Sequence, residues 1–146
     1  MGKYLLTSIF VLLFCVDIMA QCDTAEMSAI DGIVITAENN LLDAKVLNTT
    51  LEDGTGLTAF YVNNDLIKLT VDAKQFMQEI FVSGGYAVCF KVTSFTSDSN
   101  MYEIYYFKDN KLVCREDPMT GEMSGPPDEP ETDLIAGFEY YLSAIQ

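Results

Sequence analysis

Along the chain, apolar and polar positions alternate with two different periods, and the change from one to the other divides the sequence into elements. After Cys22 the stretch DTAEMSAIDGIVITAENNLLDA places Met27, Ile30, Val34, Ala37 and Leu41 at intervals of three, four, three and four. That spacing is one face of an α-helix and predicts a helix over Thr24–Leu42 with this stripe turned to the core. Asp23 followed by Glu26 has the form of a capping box, in which each side chain satisfies a free backbone N–H of the first turn. Gly32 and the β-branched run Ile33, Val34 and Ile35 oppose the helix.

From Lys45 to Arg115 the period changes to two. LTAFYV and LIKLTV flank Asn63, Asn64 and Asp65; QEIFV and YAVCFKVTSF flank Ser83, Gly84 and Gly85; MYEIYYF and KLVCR flank Lys108, Asp109 and Asn110. Asn, Asp and Gly tolerate the left-handed backbone of tight hairpin turns, so three successive hairpins are expected. FYVNNDLIKL (60–69), IFVSGGYAVC (80–89) and YYFKDNKLVC (105–114) align without gaps at offsets of 20 and 25 residues. Beyond Arg115, EDPMTGEMSGPPDEPETD holds all four prolines and seven acidic residues, the composition of an extended, solvated loop over 116–132. Leu134, Ile135, Phe138, Tyr141, Leu142 and Ile145 then return to helical spacing, with Thr132 or Asp133 as cap. The expected fold is α+β: an N-terminal helix, a curled antiparallel β-meander of six or seven strands, and a C-terminal helix.

The run GLTAFYVNNDLIKLTV, followed by two strand-turn-strand units ending in YYFKDNKL, resembles a class of uncharacterised secreted or periplasmic bacterial domains. In that class a helix precedes a curled antiparallel meander with repeated YYF-turn-GKL hairpins. The single unit is also similar to a MORN-variant repeat. The resemblance covers about Leu51 to Asp117 and brings no catalytic or ligand residues with it.

The first residues, MGKYLLTSIFVLLFCVDIMAQC, combine Lys3, a 13-residue apolar run from Tyr4 to Val16 and the triplet Ile18, Met19, Ala20. This is the layout of a secretory signal peptide, and the run is shorter than the roughly 20 residues that span a bilayer. Cleavage near Ala20 is expected, leaving 21–146 as a single secreted or periplasmic domain with no transmembrane segment. A lipid anchor at Cys15 or Cys22 is not expected, because Phe14 and Gln21 occupy the positions where a lipobox needs a small residue. Losing Lys3 and Asp17 leaves 7 basic and 21 acidic residues and keeps the net charge at -14. Such an acidic protein should repel nucleic acid and anionic lipid, whose binding relies on Lys and Arg.

The absence of histidine removes the commonest general base and metal ligand, and no phosphate-loop, dinucleotide, CxxC or EF-hand pattern occurs. No cofactor and no metal site is expected. The sequon Asn48-Thr49-Thr50 matters only in a glycosylating host. Cys89 and Cys114 should not pair: as equivalent hairpin positions two strands apart they would lie about 10 Å from one another, beyond the roughly 7 Å a disulfide spans. The pairing of Cys22 is left open.

Two functional readings compete. Alternation puts Tyr102, Ile104 and Tyr106 on one face of their strand and Glu103, Tyr105 and Phe107 on the other, so both faces are partly apolar. Either helices cover both sides, or some aromatic group stays exposed as a contact surface. Tyr102, Tyr105 and Tyr106 are therefore candidate binding residues of a non-catalytic interaction module, of the inhibitor kind among others, acting on a protein or other ligand. The rival is a carboxylate-dependent hydrolase using Glu79 or Glu103, since paired carboxylates can serve as acid and base.

Overall fold

The computed structural model describes residues 22–125 and 132–146. The expected signal peptide and the proline-rich half of the acidic segment lie outside them. Helix α1 (Thr24–Asn40) ends two residues before the expected Leu42 and buries Met27, Ile30, Val34 and Ala37, four of the five residues of the stripe its spacing predicts; Leu41 is only half-buried. Asp23 caps it by accepting from the N–H groups of Ala25 and Glu26. The reciprocal half of the capping box does not form: the Glu26 carboxylate instead accepts from Lys108 Nζ at 2.5 Å, across to the sheet. A 3-10 turn at Leu41–Asp43 ends the helical segment.

Eight strands follow in sequence order: β1 (Lys45–Thr50), β2 (Gly56–Val62), β3 (Asp65–Asp72), β4 (Phe76–Ser83), β5 (Tyr86–Phe95), β6 (Asn100–Lys108), β7 (Lys111–Asp117) and β8 (Glu122–Ser124). Each pairs antiparallel with its neighbours in the chain, giving an open meander with β1 and β8 at its edges. The count is eight rather than six or seven because the acidic segment after Arg115 begins with a hairpin, not a loop. There the Asp117 carboxylate accepts from the N–H groups of Met119 and Thr120, and Gly121 supplies the positive φ that brings β8 back.

The three expected hairpins share one geometry. Asn63-Asn64, Gly84-Gly85 and Asp109-Asn110 all have positive φ at both residues, the two-residue turn whose twist matches that of the flanking strands. Behind each turn the pairing register slips by one residue, between Phe60 and Tyr61, Phe81 and Val82, and Tyr106 and Phe107. The slips leave Ile67, Val88 and Val113 as the extra residues of three β-bulges. Superposing turn on turn and bulge on bulge gives offsets of 21 and 25 residues, which corrects the ungapped first offset of 20 by one. Lys68, not Leu69, is thus the structural equivalent of Cys89 and Cys114.

These equivalents form a row across one face of the sheet: Lys68 lies opposite Phe81, Phe81 opposite Cys89, Cys89 opposite Tyr106 and Tyr106 opposite Cys114. Helix α1 packs on this row, with Ile67, Val88 and Val113 at its margin. The opposite face carries Leu57, Leu69, Ile80, Phe90, Tyr105 and Phe107, and helix α2 (Thr132–Ala144) adds Phe138 and, just beyond its end, Ile145 to that second cluster. Thr132 and Asp133 stand inside the first turn of α2.

Cys22 and Cys114 form a disulfide with Cα atoms 5.1 Å apart, closing a separation of 92 residues. It fastens the start of α1 to β7. Cys89 is free and buried, on the same face as Cys114 but two strands away, so the expected absence of a Cys89–Cys114 bridge holds. Non-reducing peptide mapping should return a Cys22–Cys114 peptide, with Cys89 alkylated only after unfolding. Replacing Cys114 by serine should cost about 4 kcal/mol, the order expected for releasing a loop of this length, measured by urea unfolding; an unchanged midpoint would mean the bridge constrains nothing.

Candidate functional site

The doubly apolar strand β6 is explained mainly by its two covers. Tyr106 lies beneath α1 at 4% exposure, and Tyr105 lies on the α2 face at 8%. The Tyr106 hydroxyl donates to Glu116 at 3.0 Å. Burial, reinforced by that hydrogen bond, pushes its pKa well above the ordinary tyrosine value. The Tyr105 hydroxyl donates to Glu103 at 2.7 Å, and the Arg115 guanidinium, ion-paired with the same Glu103, sits over the Tyr105 ring at 5.8 Å. These two tyrosines are core residues with anchored hydroxyls. Tyr102 is different: it lies on the α1 side of the sheet but in a half-buried position, opposite Thr93. Thr93 in turn faces the exposed Met77.

The two candidate carboxylates do not converge. Glu79 pairs in register with Lys91 and through it with Ile104, whereas Glu103 pairs with Val92, so they project from opposite faces of the sheet. Glu79 is ion-paired with the buried Lys68. Among the described residues no cluster of three or more Cys, Asp or Glu side chains is placed to hold a metal ion.

The ionic groups on the α1 side join helix to sheet. Lys68 and Lys91 approach the Phe81 ring at 5.0 and 4.9 Å, and Lys91 donates to Glu38 of α1 at 3.0 Å. Burial acts to lower the Lys91 pKa, and the hydrogen bond and charge of Glu38 outweigh it, leaving it raised. With Glu26–Lys108 near the other end of the helix, α1 is tied to the sheet at both ends. Beneath it, burial pushes the Cys89 thiol up to about 12.

A concave feature lies elsewhere, at the hairpin-turn end of the sheet. A groove of about 750 Å³ opens between α1, the Asn63-Asn64 and Gly84-Gly85 turns, and the last turns of α2. Its helical wall is a second stripe of α1, Ala29, Gly32, Ile33, Thr36 and Asn40, displaced from the buried one. Tyr61, Leu66, Ile67, Val82, Phe138 and Leu142 add apolar surface from the strands and α2. The volume falls in the range of small-molecule sites, which are mostly apolar with a few placed polar groups.

Gly32 faces this groove, and a Cβ built there meets nothing within 4 Å. Neither a positive φ nor a close neighbour requires glycine at this position. Its sequence signal, a helix-weakening glycine inside the expected helix, was visible, but only the fold shows what it faces. No protein-family model, curated protein or solved structure matches the chain.

Cys89 and Tyr106 are acids whose neutral forms are favoured by burial, so both contribute stability that is complete below their unfolded pKa values. That contribution is lost as pH rises, for Cys89 over about pH 9 to 12. Thermal unfolding should therefore fall steeply across this window, and Cys89→Ala should flatten the fall. Tyr106→Ala should cost about 3–5 kcal/mol at neutral pH, as for a buried aromatic, and Tyr102→Ala clearly less. Equal losses for the two tyrosines would contradict their different burial.

Proposed function

We propose that this chain is a non-catalytic, extracytoplasmic binding module, and that the groove between α1, the hairpin turns and α2 is where it holds its ligand. The observation that carries the reading is the groove itself: a mainly apolar space of about 750 Å³ with Gly32 in its wall, where a Cβ would meet no neighbour within 4 Å. A glycine inside a helix costs about 1 kcal/mol relative to alanine. A structural role for Gly32 would call for a tight backbone approach, and an open groove is the alternative that fits its surroundings. The Tyr102 side of the sheet supplies a smaller, mixed surface beside Met77 and is the second candidate.

Localisation outside the cytoplasm, after removal of 1–20, is part of the proposal. It is supported by the Cys22–Cys114 disulfide, a bond that persists in oxidising compartments and occupies the sulfur a thioether-linked lipid would need. No helix among the described residues is long and apolar enough to cross a membrane. The repeated hairpins are in keeping with the resemblance to secreted meander domains.

The test is Gly32→Leu with Nile red, an uncharged fluorophore that brightens in apolar sites. Titration of the wild-type protein should saturate near one dye per chain. The variant should fold with equal or higher thermal stability, because leucine is the better helix former by about 0.8 kcal/mol, and its dye affinity should fall at least tenfold. Tyr102→Ala should leave the titration unchanged. Unaltered binding in Gly32→Leu would remove the groove from the account.

A further inference from the structure

The charge the side chains bring to the groove is of one sign. Asp65, at the start of β3, is the one lining residue among those described whose side chain carries a charge at neutral pH, and no lysine or arginine side chain contributes to the wall. Asp65 is exposed and forms no ion pair among the described residues. On the helical wall two hydrogen-bond donors are engaged within the helix. The Thr36 hydroxyl donates to the Gly32 carbonyl at 2.8 Å, and the Asn40 amide donates to the Thr36 carbonyl at 2.8 Å. The Thr36 hydroxyl retains accepting capacity at Oγ1, and the Asn40 amide retains its oxygen and one N–H.

We infer that the groove takes an amphiphile with an apolar chain and a primary ammonium head, the chain lying on the apolar wall and the head at the Asp65 mouth. Resting on the reading of the groove as the binding site, this adds the sign of the ligand's charge. A carboxylate or phosphate head would meet Asp65 and two acceptors with no cation to receive it, on a protein whose net charge is -14. An ammonium offers three N–H donors and a positive charge to the same groups. An uncharged alcohol has one donor and no charge to pair with Asp65. The apolar body accounts for most of the affinity, since burying each methylene strengthens binding about fourfold.

The probes are octylammonium, 1-octanol and octanoate, titrated at matched ionic strength and followed by amide chemical shifts and thermal stability. Octylammonium should shift resonances of Thr36, Asn40 and Asp65, bind about threefold or more tighter than octanol, a margin set by an exposed charge pair, and far tighter than octanoate. Asp65→Asn should bring octylammonium to the level of octanol without altering octanol binding, and Gly32→Leu should abolish both. If octanol and octanoate bind as well as octylammonium and all three are lost in Gly32→Leu, the charge selection is wrong and the groove stands. If octylammonium shifts resonances scattered over the acidic surface and Gly32→Leu changes nothing, its binding is non-specific attraction and both readings fall.

Discussion

A β-sheet that is apolar on both faces must be covered twice, and that requirement organises this molecule. β4, β5 and β6 present Phe81, Cys89 and Tyr106 on one side and Ile80, Phe90 and Tyr105 on the other, all at or below 8% exposure. Antiparallel sheets often leave one face in water; here both carry large side chains, and each face is covered by one helix. α1 takes the row that ends at Cys114, α2 the opposite side. The groove follows from the same arrangement, because helices on opposite faces leave space between them where the sheet ends at its turns.

How α1 is held determines the shape of that space. Its attachment combines three kinds of contact: the Met27–Ala37 stripe on the sheet, the ion pairs Glu26–Lys108 and Glu38–Lys91, and the covalent link from Cys22 to β7. Exposed ion pairs each contribute about 1 kcal/mol or less, so apolar burial and the disulfide dominate the energetics while the ion pairs set orientation. A helix fixed in this way presents its second stripe, with Gly32 in the middle, as one wall of the groove.

The repeated bulge is the local device that makes the row possible. In each of the three hairpins one extra residue, Ile67, Val88 or Val113, shifts the following residue to the α1 side. Without the bulge, parity counted from the turn would place Lys68, Cys89 and Cys114 on the wrong face. Two of these equivalent positions carry sulfur and the third an ion-paired lysine, and only Cys114 lies within reach of the chain entering α1.

Sequence by itself determined what depends on short-range stereochemistry. The 3.6-residue stripe in α1, the period-two strands, the turn residues that accept positive φ and the helical spacing before Ile145 are each written within a few neighbouring residues, and each is found in the fold. Alternation also placed Tyr102 and Tyr106 on one face and Tyr105 on the other. Tertiary structure alone decided which of those faces would be covered, and so that Tyr105 and Tyr106 are core while Tyr102 stays half-exposed. It decided that Glu79 and Glu103 diverge, that Cys22 meets Cys114, and that the repeat runs at 21 rather than 20. The physical reason is common to all of these: periodicity states which residues share a face, while bulges, helix placement and a contact across 92 residues state what that face meets.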